Sequence, residues 1–190
     1  MKKSNTTAFF KVSIIILVFV AVISAIVFVC YKSVLKVMYP QKNTALIEQY
    51  ADEYDVDDAL VYAVIKTESG FNPQAESGAG ALGLTQITPE TFHWLQWKMG
   101  EKLEDKALYD PETSIKYGCA FLGMLLDEFG DTKTAIAAYH AGRGSVQKWL
   151  KNKEYSKDGK KLDVIPSKDT AHYVNKVTKA INIYKNLYDI

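Results

Sequence analysis

Residues 12–31, VSIIILVFVAVISAIVFVCY, form a run of twenty residues without a charge. A helix of this length spans roughly 30 Å, which is the thickness of the hydrocarbon core of a bilayer. A buried core helix normally keeps a polar stripe, but this run contains only two serines, Ser13 and Ser24. A signal peptide has a shorter apolar region and small residues at its cleavage site, whereas Val34 and Leu35 follow here. We therefore expect an uncleaved transmembrane anchor.

The charge of the chain is divided between two segments. Residues 1–40 contain five lysines and no acidic residue, whereas residues 41–190 contain the other 18 basic residues and all 22 acidic residues, a net charge of −4.

The overall composition excludes several classes of protein. With 48% apolar and 24% charged residues, the chain is not a disordered, collagen-like or low-complexity protein. The total charge of +1 gives no sign of a nucleic-acid partner. Two cysteines are too few for a disulfide framework.

These features predict four segments: a short basic N-terminal segment (1–11), a transmembrane anchor (12–31), a tether (32–43) and one folded domain (44–190). Lysines flank the anchor at positions 2, 3 and 11 on one side and at positions 32, 36 and 42 on the other. The positive-inside rule therefore favours a cytoplasmic N-terminus only slightly. The orientation has to follow from the function of the domain.

Apolar residues recur at helical spacing through almost the whole body, and no strand pattern of similar strength appears. Helix start signals stand at Asn43 or Thr44, Asp57, Thr88, Asp110 and Asp169. Glycines typical of helix ends follow at positions 70, 130 and 142, with loops expected at 70–87 and 153–168. The pattern predicts an all-α domain, in which Cys119 is a free buried thiol.

Several common enzyme motifs do not occur in the sequence. It contains no GxGxxG dinucleotide fingerprint, no GxxxxGK[ST] phosphate loop and no GxSxG elbow. The three histidines, His93, His140 and His172, do not stand at metal-ligand spacing with one another or with cysteine. We therefore expect neither a metal site nor a cofactor.

Glu68 is the side chain best suited to acid–base chemistry. It follows Leu60 and Val64 at i, i+4 and i+8, which turns its carboxyl group toward the apolar side of the predicted helix. Desolvation raises the pKa of a carboxyl group in such a place, so that it can be protonated near neutral pH. A glutamate at a helix end is more commonly a solvated charge, and spacing alone leaves both interpretations open.

Three sequence blocks carry a resemblance to a known family. They are ESGFNP at 68–73 continued by GALGLTQ at 80–86, AYHAG at 138–142, and DTAHYV at 169–174. In this order they resemble the signature of the soluble-lytic-transglycosylase (SLT) family, which is related to goose-type lysozyme. The likeness covers about residues 44–188. It implies that the domain following the predicted N-terminal transmembrane helix has a lysozyme-like α-helical fold with a cleft for peptidoglycan.

The resemblance implies that Glu68 is the single catalytic acid/base of a peptidoglycan lytic transglycosylase. Such enzymes cleave the β-1,4 bond between N-acetylmuramic acid and N-acetylglucosamine without water and leave a 1,6-anhydro product. One carboxyl group suffices because the nucleophile, the C6 hydroxyl group, belongs to the substrate and is already oriented. Most glycosidases instead place two carboxylates beside the bond. Glu76 stands at a position that the family signature leaves free, and we interpret it as a solvated charge.

The same resemblance assigns substrate contacts to Ser77, Gln86, Tyr139, His140 and Tyr173. Loop capping is the alternative for the first two, and packing in the core is the alternative for the two tyrosines. His140 stands where the family usually has asparagine.

Two threonines replace methionines that are usual in the family. Thr85 and Thr88 are therefore expected to present hydroxyl groups in place of apolar lining in the cleft.

The sequence leaves other functions open. One alternative is a muramidase that hydrolyses the same bond with water, which needs a group that activates the water. Another is a glycan-binding module without turnover, although such a module would be expected to lose Glu68. The expected partners are peptidoglycan glycan strands, the membrane through the N-terminal helix, and a secretion or conjugation machine. The expected location is the cytoplasmic membrane, with the N-terminus inside and the catalytic domain on the extracytoplasmic face.

Overall fold

The computed structural model describes residues 4–190, with side chains from residue 9 onward. The first three residues of the predicted basic segment 1–11, including Lys2 and Lys3, lie outside the described residues. The chain divides into two compact units, Met1–Pro40 and Gln41–Ile190. This division agrees with the change in charge that the sequence shows near residue 40.

The first unit is a single helix, α1, which spans Ser4–Met38. By length and composition its segment Phe9–Met38 can cross a membrane, and none of the side chains in its most apolar window is buried. The helix continues through residues 32–38, which the sequence analysis assigned to the tether. The physical reason is that no proline or glycine follows the apolar run until Pro40.

The second unit, which we call the body, is helical, as the sequence predicts. Its helices are α2 (Thr44–Glu53), α3 (Asp58–Glu68), α4 (Pro89–Met99), α5 (Pro111–Phe129), α6 (Thr132–Ala141), α7 (Arg143–Leu150) and α8 (Lys168–Tyr188), with a 3-10 turn at Asp105–Tyr109. Within residues 4–190 extended pairing is limited to two isolated bridges in the loop between α3 and α4. The expected fold class is therefore confirmed.

The helix start signals act as local chemistry predicts, with two exceptions. Asp57, Thr88 and Asp110 each accept a hydrogen bond from a backbone N–H in the first turn of the helix that follows. The cap of α8 is Ser167 rather than Asp169, because the helix begins two residues earlier than expected. Asn43 takes a left-handed conformation and makes no side-chain cap bond.

Helix α5 lies at the centre of the body and packs against α2, α4 and α6. Its buried face includes Tyr117, whose ring meets Phe92 edge-on at 4.5 Å, and Cys119, which is free and buried as predicted. The apolar helical stripes of the sequence thus form one core.

Helices α3 and α8 form an antiparallel pair. Lys185 near the end of α8 binds Asp57 at the start of α3, and Tyr173 near the start of α8 binds Glu68 at the end of α3. Tyr62 and Tyr184 stack between the two helices with ring centroids 5.1 Å apart. This pairing brings Glu68 and Tyr173 together.

The loop between α3 and α4 crosses close to the start of α5 at Gly83. This residue has a φ of +74°, and an added Cβ atom would lie 1.8 Å from the carbonyl oxygen of Leu108. Only glycine combines that conformation with that approach. Gly80 has a similar φ of +76° but no heavy atom within 4 Å of an added Cβ. A substitution at Gly80 therefore tests backbone strain alone, whereas a substitution at Gly83 tests strain together with steric overlap.

We predict that Gly83→Ala lowers the free energy of unfolding of the body by about 3 kcal/mol or more, because it adds overlap to strain. Gly80→Ala should cost about 1 kcal/mol, since it adds strain alone. Denaturant unfolding of the full chain in mild detergent, followed by near-ultraviolet circular dichroism, measures both. Equal losses for the two variants would contradict the close packing at Gly83.

Candidate active site

Glu68 is the last residue of α3 and lies half-buried at one end of the helix pair. Leu60 and Val64, one and two turns earlier, are fully buried, which confirms that this face of α3 points into the core. The hydroxyl group of Tyr173 donates a hydrogen bond of 2.6 Å to Oε1 of Glu68. One carboxylate oxygen is thereby held in place by a residue of α8.

Burial raises the pKa of the Glu68 carboxyl group above its ordinary value of 4.5. The hydrogen bond from Tyr173 and the positive charge of Lys176 act in the opposite direction and only partly offset it. Among the described residues, no second carboxylate contributes to this shift in pKa. Glu68 is therefore a single carboxyl group whose proton is retained to a higher pH than in a free glutamate.

Tyr173 is buried, and the ring of His140 stacks on it at a centroid distance of 4.4 Å. Nδ1 of His140 lies 3.3 Å from the hydroxyl oxygen of Thr170, one turn before Tyr173. Burial, together with the nearby charge of Glu68, raises the pKa of Tyr173 well above 10.0, so this hydroxyl group remains a hydrogen-bond donor. Burial lowers the pKa of His140 from 6.5, against the opposing charge of Asp169.

Tyr139 lies near Glu68, but its hydroxyl group binds a different partner. Its hydroxyl group donates a 2.7 Å hydrogen bond to the carbonyl oxygen of Thr85. Burial and, second, the negative charge of Glu68 raise the pKa of Tyr139 well above 10.0. Tyr139 thus belongs to the immediate electrostatic surroundings of the carboxyl group while its hydroxyl group secures the loop.

Thr85 is buried, and its side chain points away from the cleft toward α5. Its hydroxyl group donates to the carbonyl oxygen of Ser114 at 2.8 Å, and its N–H donates to the Ser114 hydroxyl oxygen at 3.2 Å. A Cβ atom at Gly118 would lie 2.4 Å from the Thr85 methyl group. The expectation that Thr85 lines the cleft is therefore wrong, whereas Thr88 does line it and also caps α4.

Ser77 and Gln86 bind the loop that carries them. The Ser77 hydroxyl oxygen accepts from the N–H of Ala81 at 3.0 Å. The Gln86 amide donates to the carbonyl oxygens of Ala75 and Gly83 at 3.0 and 2.9 Å. These contacts fix the shape of the loop that follows Glu68 in the chain, and a contact with substrate remains a prediction for both residues. Glu76, at the surface, accepts a 3.0 Å hydrogen bond from Tyr109.

A cleft of about 460 Å³ opens next to Tyr139 and His140. Its lining includes the aromatic residues Trp94, Phe121 and Tyr139 and the polar or charged residues Thr88, Glu90, Thr91, His140 and Arg143. Aromatic walls with polar groups between them are typical of a site for an organic ligand. A carboxyl group with a raised pKa beside it can give up a proton and, once ionised, take one back.

A family model described as the transglycosylase SLT domain matches residues 45–162. The chain belongs to the SLT family. The resemblance to this family is therefore confirmed. We use the name SLT domain for the whole body, which the family model matches up to residue 162.

Individual relatives agree with this assignment. The "Transglycosylase" of Enterobacteria phage PRD1 is 39% identical over 103 residues, which cover 54% of this chain and 36% of the relative. The "Membrane-bound lytic murein transglycosylase C" of Haemophilus influenzae is 33% identical over 123 residues, covering 59% of this chain and 34% of the relative. The chain thus spans about a third of the length of these relatives.

A solved structure supports the fold of the SLT domain. The lytic transglycosylase Slt of Pseudomonas aeruginosa, crystallised as an inactive glutamate-to-glutamine mutant, superposes with a TM-score of 0.72 at 28% identity. The superposition covers 82% of this chain and 26% of the Pseudomonas chain.

The structure brings Glu68, Tyr139, His140 and Tyr173 close together, and it places Ser77 and Gln86 in the loop between α3 and α4. Sequence analysis did not find Ser114 and Gly118, which secure this loop from α5. A glycine within a long helix is the one signal that could have indicated a close approach there.

We predict that Glu68→Gln raises the stability of the SLT domain increasingly as the pH rises. Below the ordinary pKa of glutamate the carboxyl group is protonated in both folded and unfolded chains, and the stability that the raised pKa contributes is fully present. Above it the unfolded chain ionises first, so the wild type loses stability until the folded carboxyl group has also ionised. Glutamine does not titrate and keeps its stability.

Thermal unfolding of both proteins across a pH series measures the difference. Glu154→Gln, which removes an exposed carboxylate from the loop between α7 and α8, is the control for loss of a surface charge. A difference between wild type and Glu68→Gln that is constant at all pH values would mean that Glu68 is not desolvated.

Proposed function

We propose that this protein is a lytic transglycosylase of peptidoglycan. It cleaves the β-1,4 bond between N-acetylmuramic acid and N-acetylglucosamine and leaves a 1,6-anhydro-muramic product. The observation that carries the proposal is the half-buried carboxyl group of Glu68, which has a raised pKa and accepts a hydrogen bond from Tyr173. Family membership and the names of the relatives support it.

The chemistry needs one group that acts first as an acid and then as a base. Protonated Glu68 gives its proton to the oxygen that links the two sugars, and the bond from that oxygen to C1 of the muramic acid breaks. The Glu68 carboxylate then accepts the proton of the C6 hydroxyl group, whose oxygen closes on C1. No water is consumed, and Glu68 regains its proton for the next turnover.

The surrounding residues adapt Glu68 to both steps. Burial raises the pKa of the carboxyl group, which favours its protonated form before the reaction, and the Tyr173 hydroxyl group stabilises the carboxylate that forms after proton transfer. We assign Ser77, Gln86, Tyr139 and His140 to the contacts with the sugars around Glu68. The inactive Pseudomonas protein carries a glutamate-to-glutamine exchange, which agrees with a single essential carboxyl group.

We predict that the full chain in mild detergent, incubated with purified peptidoglycan, releases muropeptides lighter by one water than hydrolysis products and without new reducing ends. Glu68→Gln should lower the rate about a thousandfold or more, because it keeps the shape of the side chain but removes the proton. Mass spectrometry of the released products measures both.

Other outcomes of this digest would change the assignment. Reducing-end products would indicate a muramidase, which needs a group that activates water. A Glu68→Gln variant with nearly normal activity would overturn the central role of Glu68. Binding of glycan without any product would indicate a glycan-binding module.

We further propose that α1 anchors the protein in the cytoplasmic membrane, with the N-terminus inside and the SLT domain on the extracytoplasmic face. The length and apolar composition of α1 and the membrane-bound name of the Haemophilus relative support the anchor. Peptidoglycan lies outside the cytoplasmic membrane, which supports the orientation.

We predict that a protease added to intact spheroplasts degrades the SLT domain and that the chain sediments with membranes after salt and alkaline washing. A domain that is degraded only after the membrane is opened would contradict the orientation. Release by salt alone would contradict the anchor.

A further inference from the structure

A strongly basic surface lies between the end of α7 and the start of α8, and the chemistry at Glu68 does not use it. Residues 148–168 contain seven lysines and three acidic residues, a net charge of +4, whereas the rest of the body has a net charge of −8. All seven lysines are exposed. We call residues 148–168 the basic segment. The body thus concentrates positive charge in one segment against an acidic background.

The fold holds the basic segment in a defined shape. Leu162 is buried, and its N–H donates a 3.0 Å hydrogen bond to the hydroxyl oxygen of Thr134 on α6. The ammonium group of Lys133, also on α6, donates to the carbonyl oxygens of Leu162 and Asp163 at 3.2 Å. The N–H of Asp163 donates to the carbonyl oxygen of Tyr155 at 2.9 Å. The segment therefore folds back on itself and is secured to α6.

Two of the three acidic residues of the basic segment bind its backbone rather than its lysine side chains. Asp158 accepts hydrogen bonds from the backbone N–H groups of Lys160 and Lys161 at 2.8 and 3.1 Å. Asp163 accepts one from the backbone N–H of Lys157 at 2.8 Å. Among the side chains of residues 9–190, no carboxylate forms an ion pair with any of the seven ammonium groups. These cations are therefore available to an anion outside the chain.

The basic segment also exposes an apolar side chain, Val164, which is 51% exposed. Its neighbour Asp163 binds the backbone of Lys157, and the carbonyl oxygen of Lys157 accepts a 3.1 Å hydrogen bond from the ammonium group of Lys153. Val164 therefore lies close to two lysines, in a loop whose shape is fixed.

This combination distinguishes between two kinds of polyanion. A phosphate polymer in solution can bind the lysines but offers no apolar region to an exposed valine. A bilayer that contains anionic phospholipids offers phosphate groups at its surface and hydrocarbon directly beneath them. The body also stays near a bilayer when α1 spans it, because residues 39–43, which connect α1 to α2, reach at most roughly 20 Å. The observations therefore favour the bilayer.

We propose that the basic segment docks the body on the anionic headgroups of the membrane in which α1 is anchored. The lysines bind the phosphate groups of anionic phospholipids, and Val164 enters the boundary between headgroups and hydrocarbon. The proposal rests on the membrane anchor proposed above and is independent of the chemistry at Glu68. Docking requires anionic lipid and weakens at high salt, because salt screens the attraction between ammonium and phosphate groups.

The test places the full chain in vesicles of neutral phosphatidylcholine, with or without about one third of anionic phosphatidylglycerol. The chain carries Cys30→Ser and a nitroxide label on Val164→Cys, and its remaining cysteine, Cys119, is buried. Electron paramagnetic resonance measures how often the label collides with a water-soluble nickel complex that is present on both sides of the bilayer. A label on Leu103→Cys, an exposed apolar position outside the basic segment, is the control.

Anionic lipid should lower the collision rate of the label at position 164 about fivefold, because the label leaves water for the headgroup boundary. The label at position 103 should keep its collision rate. Salt at about 1 M should restore the collisions at position 164.

Charge variants show whether the lysines cause the docking. Lys160→Gln combined with Lys161→Gln should weaken docking about tenfold or more, since each lysine near an anionic surface contributes roughly a fivefold gain in affinity. Lys102→Gln combined with Lys106→Gln removes the same charge from exposed positions outside the basic segment and should leave docking unchanged.

The outcomes separate docking from the anchor on which it rests. Equal collision rates at position 164 in both kinds of vesicle would overturn the proposal, and so would an equal fall at positions 164 and 103. Protection by added poly(glycerol phosphate) but not by anionic lipid would identify a phosphate polymer as the partner and overturn docking on the bilayer. If alkaline washing strips the chain from the vesicles, the anchor fails first and docking fails with it.

Discussion

The hydrogen bond between the Tyr173 hydroxyl group and Glu68 connects the fold to the site. It joins the first turns of α8 to the last turn of α3, at one end of an antiparallel helix pair whose other end is held by Asp57 and Lys185. The pair stacks Tyr62 on Tyr184 and buries the apolar side of α3. The position of the carboxyl group is therefore set by the packing of two helices rather than by a flexible loop.

The surroundings of Glu68 have two opposite effects on the ionisation of its carboxyl group. Burial disfavours the carboxylate, while the Tyr173 hydroxyl group favours it. The balance leaves a group that holds a proton more tightly than usual but has a donor in place when the proton leaves. Tyr139 also belongs to this environment, but its hydroxyl group donates its hydrogen bond to the carbonyl oxygen of Thr85.

Much of the fold could be predicted from the sequence, because it depends on local chemistry. Cap residues such as Asp57 and Asp110 act within three residues of their positions, and the helical spacing of apolar residues marks the buried faces. Glu68 could be found because its apolar neighbours on the same helix face are close in the sequence and because its sequence block resembles a family.

Contacts between distant segments could not be predicted from local sequence patterns. Thr85 and Ser114 are 29 residues apart, and no local pattern shows that one secures the other.

The separation of Tyr173 and Glu68 in the sequence has a consequence for when the protein becomes active. The two residues are 105 positions apart, so the site exists only after α8 has been synthesised and has docked on α3. Until then residue 68 is an ordinary glutamate in water, without the burial that raises its pKa. A chain in which α8 has not yet docked on α3, or one that has partly unfolded, therefore lacks the carboxyl group on which the proposed activity depends. Completion of the fold itself thus determines when the proposed chemistry can begin.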